Sequence, residues 1–169
     1  NYPWDGNVKI TVEQLPAENF SLKLRLPSWC SEAKLFINGK PTPYTTEKGY
    51  VNLQRQWKKG DVILWNMAMP TELLEANPLV EENRNQVAVK RGPMVYCLES
   101  NDMPADIRVF DVAIPSNAAF KPTQITLENS PITALETNGV MVNTENWDRH
   151  VYRPISEPMD DGPLDLVAD

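Results

Sequence analysis

Short stretches in which apolar and polar residues strictly alternate constrain the fold of this chain most strongly. In residues 20–26, FSLKLRL, every second residue is apolar, and residues 8–13 and 33–37 repeat the pattern. Such alternation places the apolar side chains on one face of a β-strand. Fifteen prolines are spread along the 169 residues, and proline interrupts an α-helix because it lacks a backbone N–H group. We therefore predict an all-β chain.

The pattern is typical of an antiparallel β-sandwich, of the jelly-roll or immunoglobulin-like kind. Asn38-Gly39 predicts a hairpin turn because both residue types tolerate a positive φ angle, and residues 49–57 are expected to form the returning strand. Residues 62–69, VILWNMAM, are apolar on both faces. Such a run is predicted to lie in the centre of a sheet.

We expect two domains, an accessory β-sandwich over residues 1–104 and a second, smaller or incomplete β lobe over residues 105–169. The second part shows fewer clear strand signals. Its predicted elements are a strand at 107–114, an irregular stretch at 115–124, a hairpin around Asn138-Gly139 and a strand at 164–168.

Residues 75–100 combine charges, an Arg-Gly-Pro sequence and a cysteine. They predict a polar loop and two strands, at 86–91 and 94–100, joined by a sharp Gly92-Pro93 bend that carries the chain between two sheets. Four polar residues lie among apolar neighbours here: Glu75, Asn77, Arg84 and Arg91. They either satisfy backbone groups and solvent at the bend, or form interdomain contacts, with Arg91 or Glu75 docking against another domain.

The acidic composition disfavours two classes of partner. The formal net charge is −7 and the sequence pI is about 4.8, so the surface repels phosphates and we expect no nucleic-acid partner. No basic amphipathic stripe suggests a membrane surface, and the apolar runs are too short to span a bilayer. The first residue is not Met, from which we expect a fragment or a processed product.

The sequence gives no support to a catalytic site. His150 is the one histidine and has only Asp148 nearby, so a nucleophile–base–acid triad is not predicted. Cys30 and Cys97 both lie in apolar contexts and are expected to be buried thiols, although a disulfide is an alternative. Because no His/Cys ligand cluster or phosphate-binding loop occurs, no catalytic, cofactor-binding or metal-binding residue is assigned.

Five tryptophans divide into two groups. Trp57 and Trp65 lie in apolar strands and are expected in the core. Trp29 and Trp147 stand beside polar residues. These two are candidates for stacking on a sugar or packing at an interface, with ordinary burial as the alternative.

Three segments resemble the bacterial beta-L-arabinofuranosidases of glycoside hydrolase family 127 and their relatives. They are LKLRLPSWCSEAKLFINGK, GYVNLQRQWKKGDVI and MPTELLEANPLVEENRNQVAVKRGPMVYCLE, and VYRPI at 151–155 is similar to a later part of the family. The resemblance implies β-sandwich domains that follow an (α/α)6 catalytic barrel. In the family the active site is a zinc-bound cysteine with further Cys, Glu and His residues, all within the barrel.

The resemblance therefore implies that this chain alone is not an enzyme and binds no cofactor. Its partners would be the catalytic barrel of the same parent protein and a second subunit. A bacterial soluble protein is expected, with the cytoplasm and the periplasm both left open. The alternatives are a carbohydrate-binding module, with a shallow groove of coplanar aromatic rings, and an immunoglobulin-like interaction domain unrelated to sugars.

Overall fold

The computed structural model describes residues 2–16, 19–142, 151–152 and 161–168, the last of these by backbone alone. It divides into two compact units. Unit 1 comprises Asn1–Thr71 and Arg91–Met94, and unit 2 comprises Glu72–Lys90 and Val95–Asp169. The division into an accessory domain over residues 1–104 and a second lobe over residues 105–169 stays a prediction.

The described secondary structure is almost entirely β. The strands are β1 (Asn7–Thr11), β2 (Ser21–Arg25), β3 (Ala33–Ile37), β4 (Lys40–Pro41), β5 (Thr46–Glu47), β6 (Tyr50–Gln54), β7 (Val62–Met67), β8 (Thr71–Glu75), β9 (Val87–Arg91), β10 (Met94–Tyr96), β11 (Val112–Ala113), β12 (Lys121–Leu127), β13 (Ser130–Val142) and β14 (Asp161–Ala168). Short 3-10 helices occupy Glu81–Asn83, Ser100–Asp102 and Val109–Asp111.

Unit 1 is built from two antiparallel sheets, with strand orders β1-β7-β3-β4 and β2-β6-β5. One continuous apolar core draws side chains from both sheets, which confirms the predicted β-sandwich. The alternating stretches behave as expected, since Leu24 in β2 is buried between two exposed neighbours and Leu35 in β3 lies between the exposed Lys34 and the half-buried Phe36. Strand β7 pairs with β1 on one side and with β3 on the other, which confirms its central position.

Aromatic rings close the core of unit 1. Trp57 and Trp65 are buried, as predicted. Phe20 stacks on Trp57 with ring centroids 6.3 Å apart, and Tyr44 meets Trp65 edge-on at 5.1 Å. Tyr44 also donates a 2.7 Å hydrogen bond to the carbonyl of Ala33, so its polar end is satisfied while its ring is packed.

The hairpin turn at Asn38-Gly39 is confirmed, but its returning strand is not the predicted one. Both turn residues have positive φ angles, and β3 pairs across the turn with β4. Residues 50–54 instead pair with β2 and β5 in the other sheet. The reason is a second two-residue turn, Lys48-Gly49, which also has two positive φ angles and aligns β6 with β5.

A buried carboxylate holds two turns of unit 1 together. Asp61 accepts a 2.9 Å hydrogen bond from the side-chain amide of Asn38 and another of 2.9 Å from the backbone N–H of Lys58. The amide of Asn38 and then the N–H of Lys58 hold the pKa of Asp61 below its ordinary value. Asn38 itself bridges to the start of β7, because its side-chain oxygen accepts a hydrogen bond from Val62.

The Gly92-Pro93 bend is a tight turn within one sheet, so the predicted crossing between two sheets is wrong. Strands β8, β9 and β10 form a three-stranded sheet in the order β10-β9-β8. Gly92 adopts a φ angle of 57°, which allows β10 to fold directly back on β9. Beyond the turn the strand is shorter than predicted and ends at Tyr96.

The remaining sheet is organised around β13. This 13-residue strand pairs with β12 along its first half, with β14 along its second half, and with β11 near its end. The predicted C-terminal strand is confirmed and begins earlier, at Asp161. The stretch expected to be irregular, 115–124, contains the start of β12.

Two predictions in this sheet are wrong. Asn138-Gly139 is not a turn, because β13 runs through it and both residues pair with β14; the hairpin turn lies at Glu128-Asn129, which have φ angles of 47° and 64°. The stretch 107–114, predicted to be one strand, contains the 3-10 helix Val109–Asp111 followed by the two residues of β11.

We expect the hydrogen bonds of Asp61 to make the stability of unit 1 depend on pH. Because the folded-state pKa is lowered, the contribution is fully present above the unfolded value, near 3.8, and is lost as pH falls through the folded value. Urea unfolding of the wild-type chain and Asp61→Asn between pH 7 and pH 3 should show a stability difference that narrows at acidic pH.

Asn38→Gly provides a matched control, because glycine keeps the positive φ angle at this position but removes the amide that holds Asp61. In that background the Asp61→Asn difference should vary less with pH. An Asp61→Asn difference that stays constant down to pH 3 would contradict the assignment.

Candidate functional site

Arg91, at the end of β9, holds the N-terminal segment of unit 1. Its Nη1 atom donates a 2.9 Å hydrogen bond to the backbone carbonyl of Trp4 and lies 4.0 Å from the sulfur of Met69. The guanidinium is partly buried, and its Nε atom has no hydrogen-bond partner within the described part of the chain. A hydrogen bond from a partly buried guanidinium to a backbone carbonyl is stronger than one between neutral groups, so it attaches the N-terminal segment specifically.

Two glycines allow the backbone to approach closely around this attachment. The carbonyl of Gly6 accepts a 2.9 Å hydrogen bond from Met67 at the end of β7, and a Cβ atom at Gly6 would lie 1.9 Å from the carbonyl oxygen of Met67. At Gly92, a Cβ atom would lie 3.0 Å from two atoms of the Met69 side chain. Any larger residue at position 6 would push the segment off the sheet.

We call this group of contacts the Arg91 cluster. It consists of Trp4, Gly6, Met67, Met69, Arg91 and Gly92, all within unit 1. The cluster is structural. Its contacts are the hydrogen bond from Arg91 to a backbone carbonyl, the Gly6–Met67 backbone hydrogen bond and the packing of the Met69 thioether. Its effect is to fix the direction in which residues 2–6 lie against the sandwich.

Asn77 and Arg84 stabilise the loop in which they lie. The side-chain oxygen of Asn77 accepts a 3.0 Å hydrogen bond from the N–H of Leu79, an arrangement that mimics a backbone turn. Arg84 donates a 3.3 Å hydrogen bond to the carbonyl of Pro78 and lies 3.6 Å from the carboxylate of Glu81. Both therefore have local partners, separate from those of Arg91.

Glu75 is exposed at the end of β8. A role in interdomain contact for Glu75, Asn77, Arg84 and Arg91 stays a prediction. Among the four, Arg91 is the one whose side chain joins segments far apart in the sequence, 87 residues from its carbonyl partner.

The aromatic candidates have different outcomes. Trp29 is half-buried and packs against the core of unit 1, and its contact with a sugar or an interface stays a prediction. Trp147 and His150 lie outside the described residues. A shallow depression of about 630 Å³ in unit 1 is lined by Ile37, Thr42, Pro43, Asn52, Leu53, Gln54, Arg55 and Gln56, and none of these residues carries the aromatic ring expected of a carbohydrate-binding module.

The two cysteines have unlike environments. Cys30 is buried, as predicted, and its thiol donates a 3.1 Å hydrogen bond to the carbonyl of Glu32. Burial raises the pKa of this thiol, so Cys30 stays protonated at neutral pH and is a poor nucleophile or metal ligand. Cys97 is exposed, which makes the prediction of burial wrong for it, and both thiols are free rather than bridged.

Zinc is the metal that the family resemblance implies for the catalytic barrel. Within the described ranges there is no group of three or more His, Cys, Asp and Glu side chains that could hold a metal ion, and the protonated thiol of Cys30 does not suit Zn²⁺. The described residues therefore do not fit a zinc site.

Sequence reasoning identified Arg91 but missed its partners. The carbonyl of Trp4 is a backbone group and leaves no side-chain signal, and Met69 resembles any apolar strand residue. Gly6 could have been found, because Asp5-Gly6 is a turn dipeptide and the carboxylate of Asp5 accepts a 2.8 Å hydrogen bond from the N–H of Asn7.

Two family descriptions match adjacent parts of the chain. Residues 1–69 match the beta-L-arabinofuranosidase GH127 middle domain, and residues 71–152 match the glycoside hydrolase family 127 C-terminal domain. The chain belongs to glycoside hydrolase family 127. The resemblance found in the sequence is thereby confirmed for both parts of the chain.

Individual GH127 proteins agree with this assignment. A non-reducing end beta-L-arabinofuranosidase from Bifidobacterium longum is 38% identical over 112 residues, which are 63% of this chain and 17% of that protein. A solved glycoside hydrolase is 42% identical with a TM-score of 0.88, and the match covers 99% of this chain and 28% of that one. A GH127 beta-L-arabinofuranosidase from Geobacillus stearothermophilus T6 is 32% identical with a TM-score of 0.87, over 99% of this chain and 26% of that one.

The chain spans less than a third of the length of each of these relatives. No helix in the described ranges is both long enough and apolar enough to cross a membrane.

We expect Gly6→Ala to destabilise unit 1 much more than Gly39→Ala. The added methyl group at position 6 would collide with the backbone of Met67, at a cost of about 3 kcal/mol. At position 39 no atom lies close to the added methyl group, and only the positive φ angle disfavours alanine. The expected loss of stability there is about 1 kcal/mol. Urea unfolding of both variants checks the order, and equal losses would show that the segment 2–6 does not press on β7.

Proposed function

We propose that this chain is a non-catalytic accessory region of a GH127 enzyme, whose role is to support the catalytic part of the same protein. The observation that carries the proposal is the Arg91 cluster, which fixes the direction of residues 2–6 on the sandwich. Residues 2–6 lie within the part of the chain that matches the GH127 middle domain, and we propose that they adjoin the connection to the part that precedes this domain. A fixed connection limits the orientations available to the preceding part.

The substrate class follows from the relatives. Two of them are named beta-L-arabinofuranosidases, and we propose that the enzyme containing this chain acts on beta-L-arabinofuranosides. Zinc, if the parent enzyme uses it, would belong to the catalytic part, since the described residues of this chain do not fit it.

The proposed partner is the catalytic region within the same polypeptide, because this chain corresponds to 17–28% of the length of its relatives. A second subunit stays a further predicted partner. Equilibrium sedimentation of the longer protein and of this chain would test it.

An activity assay tests the proposal directly. A chromogenic beta-L-arabinofuranoside is incubated with this chain, and separately with the full-length protein that contains it, each with and without added zinc. We expect turnover by the full-length protein and none by this chain, because the groups that perform the reaction are proposed to lie elsewhere. Hydrolysis by this chain alone would overturn the proposal and direct attention to Cys97 and His150.

Charge reversal at Arg91 tests the role of the Arg91 cluster. In the full-length protein we expect Arg91→Glu to lower stability by about 2–4 kcal/mol, because a carboxylate would face the carbonyl of Trp4 and a partly buried donor would be lost. Activity should fall as the connection loosens, with residual activity in the fraction that remains correctly oriented. Thermal unfolding and initial rates on the same preparations measure both effects.

Arg84→Glu is the matched control, because it makes the same change in charge at an exposed site with a weak ion pair to Glu81. It should change stability by less than about 1 kcal/mol. If Arg91→Glu and Arg84→Glu change stability and activity equally, the Arg91 cluster contributes nothing beyond surface charge.

A further inference from the structure

A short turn in unit 2 presents an aromatic side chain to solvent. Residues 106–111, which we call the Phe110 turn, include the 3-10 helix Val109–Asp111. Phe110 is 93% exposed, the highest value among the large hydrophobic side chains that the structure describes. An isolated exposed apolar residue on a loose loop needs no explanation, so the significance of Phe110 depends on how firmly its turn is held.

The turn is held by a two-pronged ion pair. The Nε and Nη2 atoms of Arg108 donate hydrogen bonds of 2.8 Å and 2.6 Å to the two carboxylate oxygens of Asp111. The backbone reinforces this, because the N–H of Asp111 donates to the carbonyl of Arg108 at 2.9 Å. These bonds bracket Phe110 on both sides and restrict its backbone, which lowers the ordering entropy lost when the ring binds a partner.

The polar groups beside the ring favour a protein pocket over a sugar. A sugar site needs polar side chains that are free to bond hydroxyl groups next to the ring. Asp111 and Arg108 already spend two of their hydrogen bonds on each other, so fewer of their donor and acceptor positions remain for sugar hydroxyl groups. An apolar anchor with a satisfied polar rim is the arrangement found at protein–protein contact sites.

We propose that Phe110 inserts into an apolar pocket on the part of the GH127 protein that precedes the middle domain. The occupant is argued from the domain order and from length, since this chain matches a middle and a C-terminal domain and spans 17–28% of its relatives. The inference rests on the proposed function, and it adds a specific anchor in unit 2 to the backbone connection in unit 1.

The experiment is hydroxyl-radical footprinting of the full-length protein, followed by mass spectrometry. Leu79, also in unit 2 and 88% exposed, serves as an internal reference on a different loop. After correction for intrinsic reactivity, we expect oxidation of Phe110 to be several-fold lower than that of Leu79. In parallel, Phe110→Ser should lower the thermal midpoint of the full-length protein by roughly 3 °C or more, whereas Leu79→Ser should leave it unchanged.

Each other outcome overturns the proposal. Equal oxidation of Phe110 and Leu79 would mean that no pocket covers the ring. Protection that disappears on dilution would assign the pocket to a second copy of the protein. Protection that requires added arabino-oligosaccharide would indicate a sugar site. If Phe110→Ser fails to fold, footprinting of the unmodified protein still decides.

The two proposals fail separately. The accessory role is lost if this chain hydrolyses arabinosides unaided, a result that says nothing about Phe110. Exposure of Phe110 in the full-length protein removes the anchor and leaves the accessory role intact.

Discussion

The pairing of β7 with a neighbour on each side is the interaction on which the rest of unit 1 depends. Ile63 and Trp65 point from this strand into the core and are almost wholly buried, and β1 and β3 take up the hydrogen bonds on its two edges. Burying its alternate side chains removes a large apolar area from water, while the ladders leave few backbone groups unpaired. The Asn38–Asp61 link begins beside β7, and the Gly6–Met67 hydrogen bond closes its end.

The strands of unit 1 could be predicted because their signal is local. In a half-buried strand, successive side chains point alternately to the core and to solvent. The alternation in FSLKLRL therefore identifies which of its residues face the core. Turn signals were less secure, as the two Asn-Gly dipeptides show. Asn38-Gly39 is a turn, whereas Asn138-Gly139 lies within β13, where pairing with β14 outweighs the local preference. A ladder formed with residues more than twenty positions away cannot be seen in a short window of sequence.

The candidate site was predictable to a smaller extent, for a related reason. Asn77 and Arg84 bond groups within six residues of themselves, and a polar loop with Pro78 predicts such behaviour. Arg91 bonds the carbonyl of Trp4, a group that every residue type possesses, so nothing in the sequence marks it as the partner. The exposure of Cys97 was likewise hidden, because β10 ends at Tyr96, four residues before the predicted strand end at residue 100.

The long separation between Arg91 and Trp4 also has a consequence for the order in which the chain assembles. The β12–β13 hairpin joins neighbours and closes a small loop, so it can form as soon as its residues are available. The bond from Arg91 to Trp4 closes a loop of 87 residues, and in the cell its acceptor leaves the ribosome well before its donor is made. Residues 2–6 can therefore pair with Met67 through Gly6 before Arg91 is synthesised, and the bond to Arg91 completes their attachment only after residue 91 has been added.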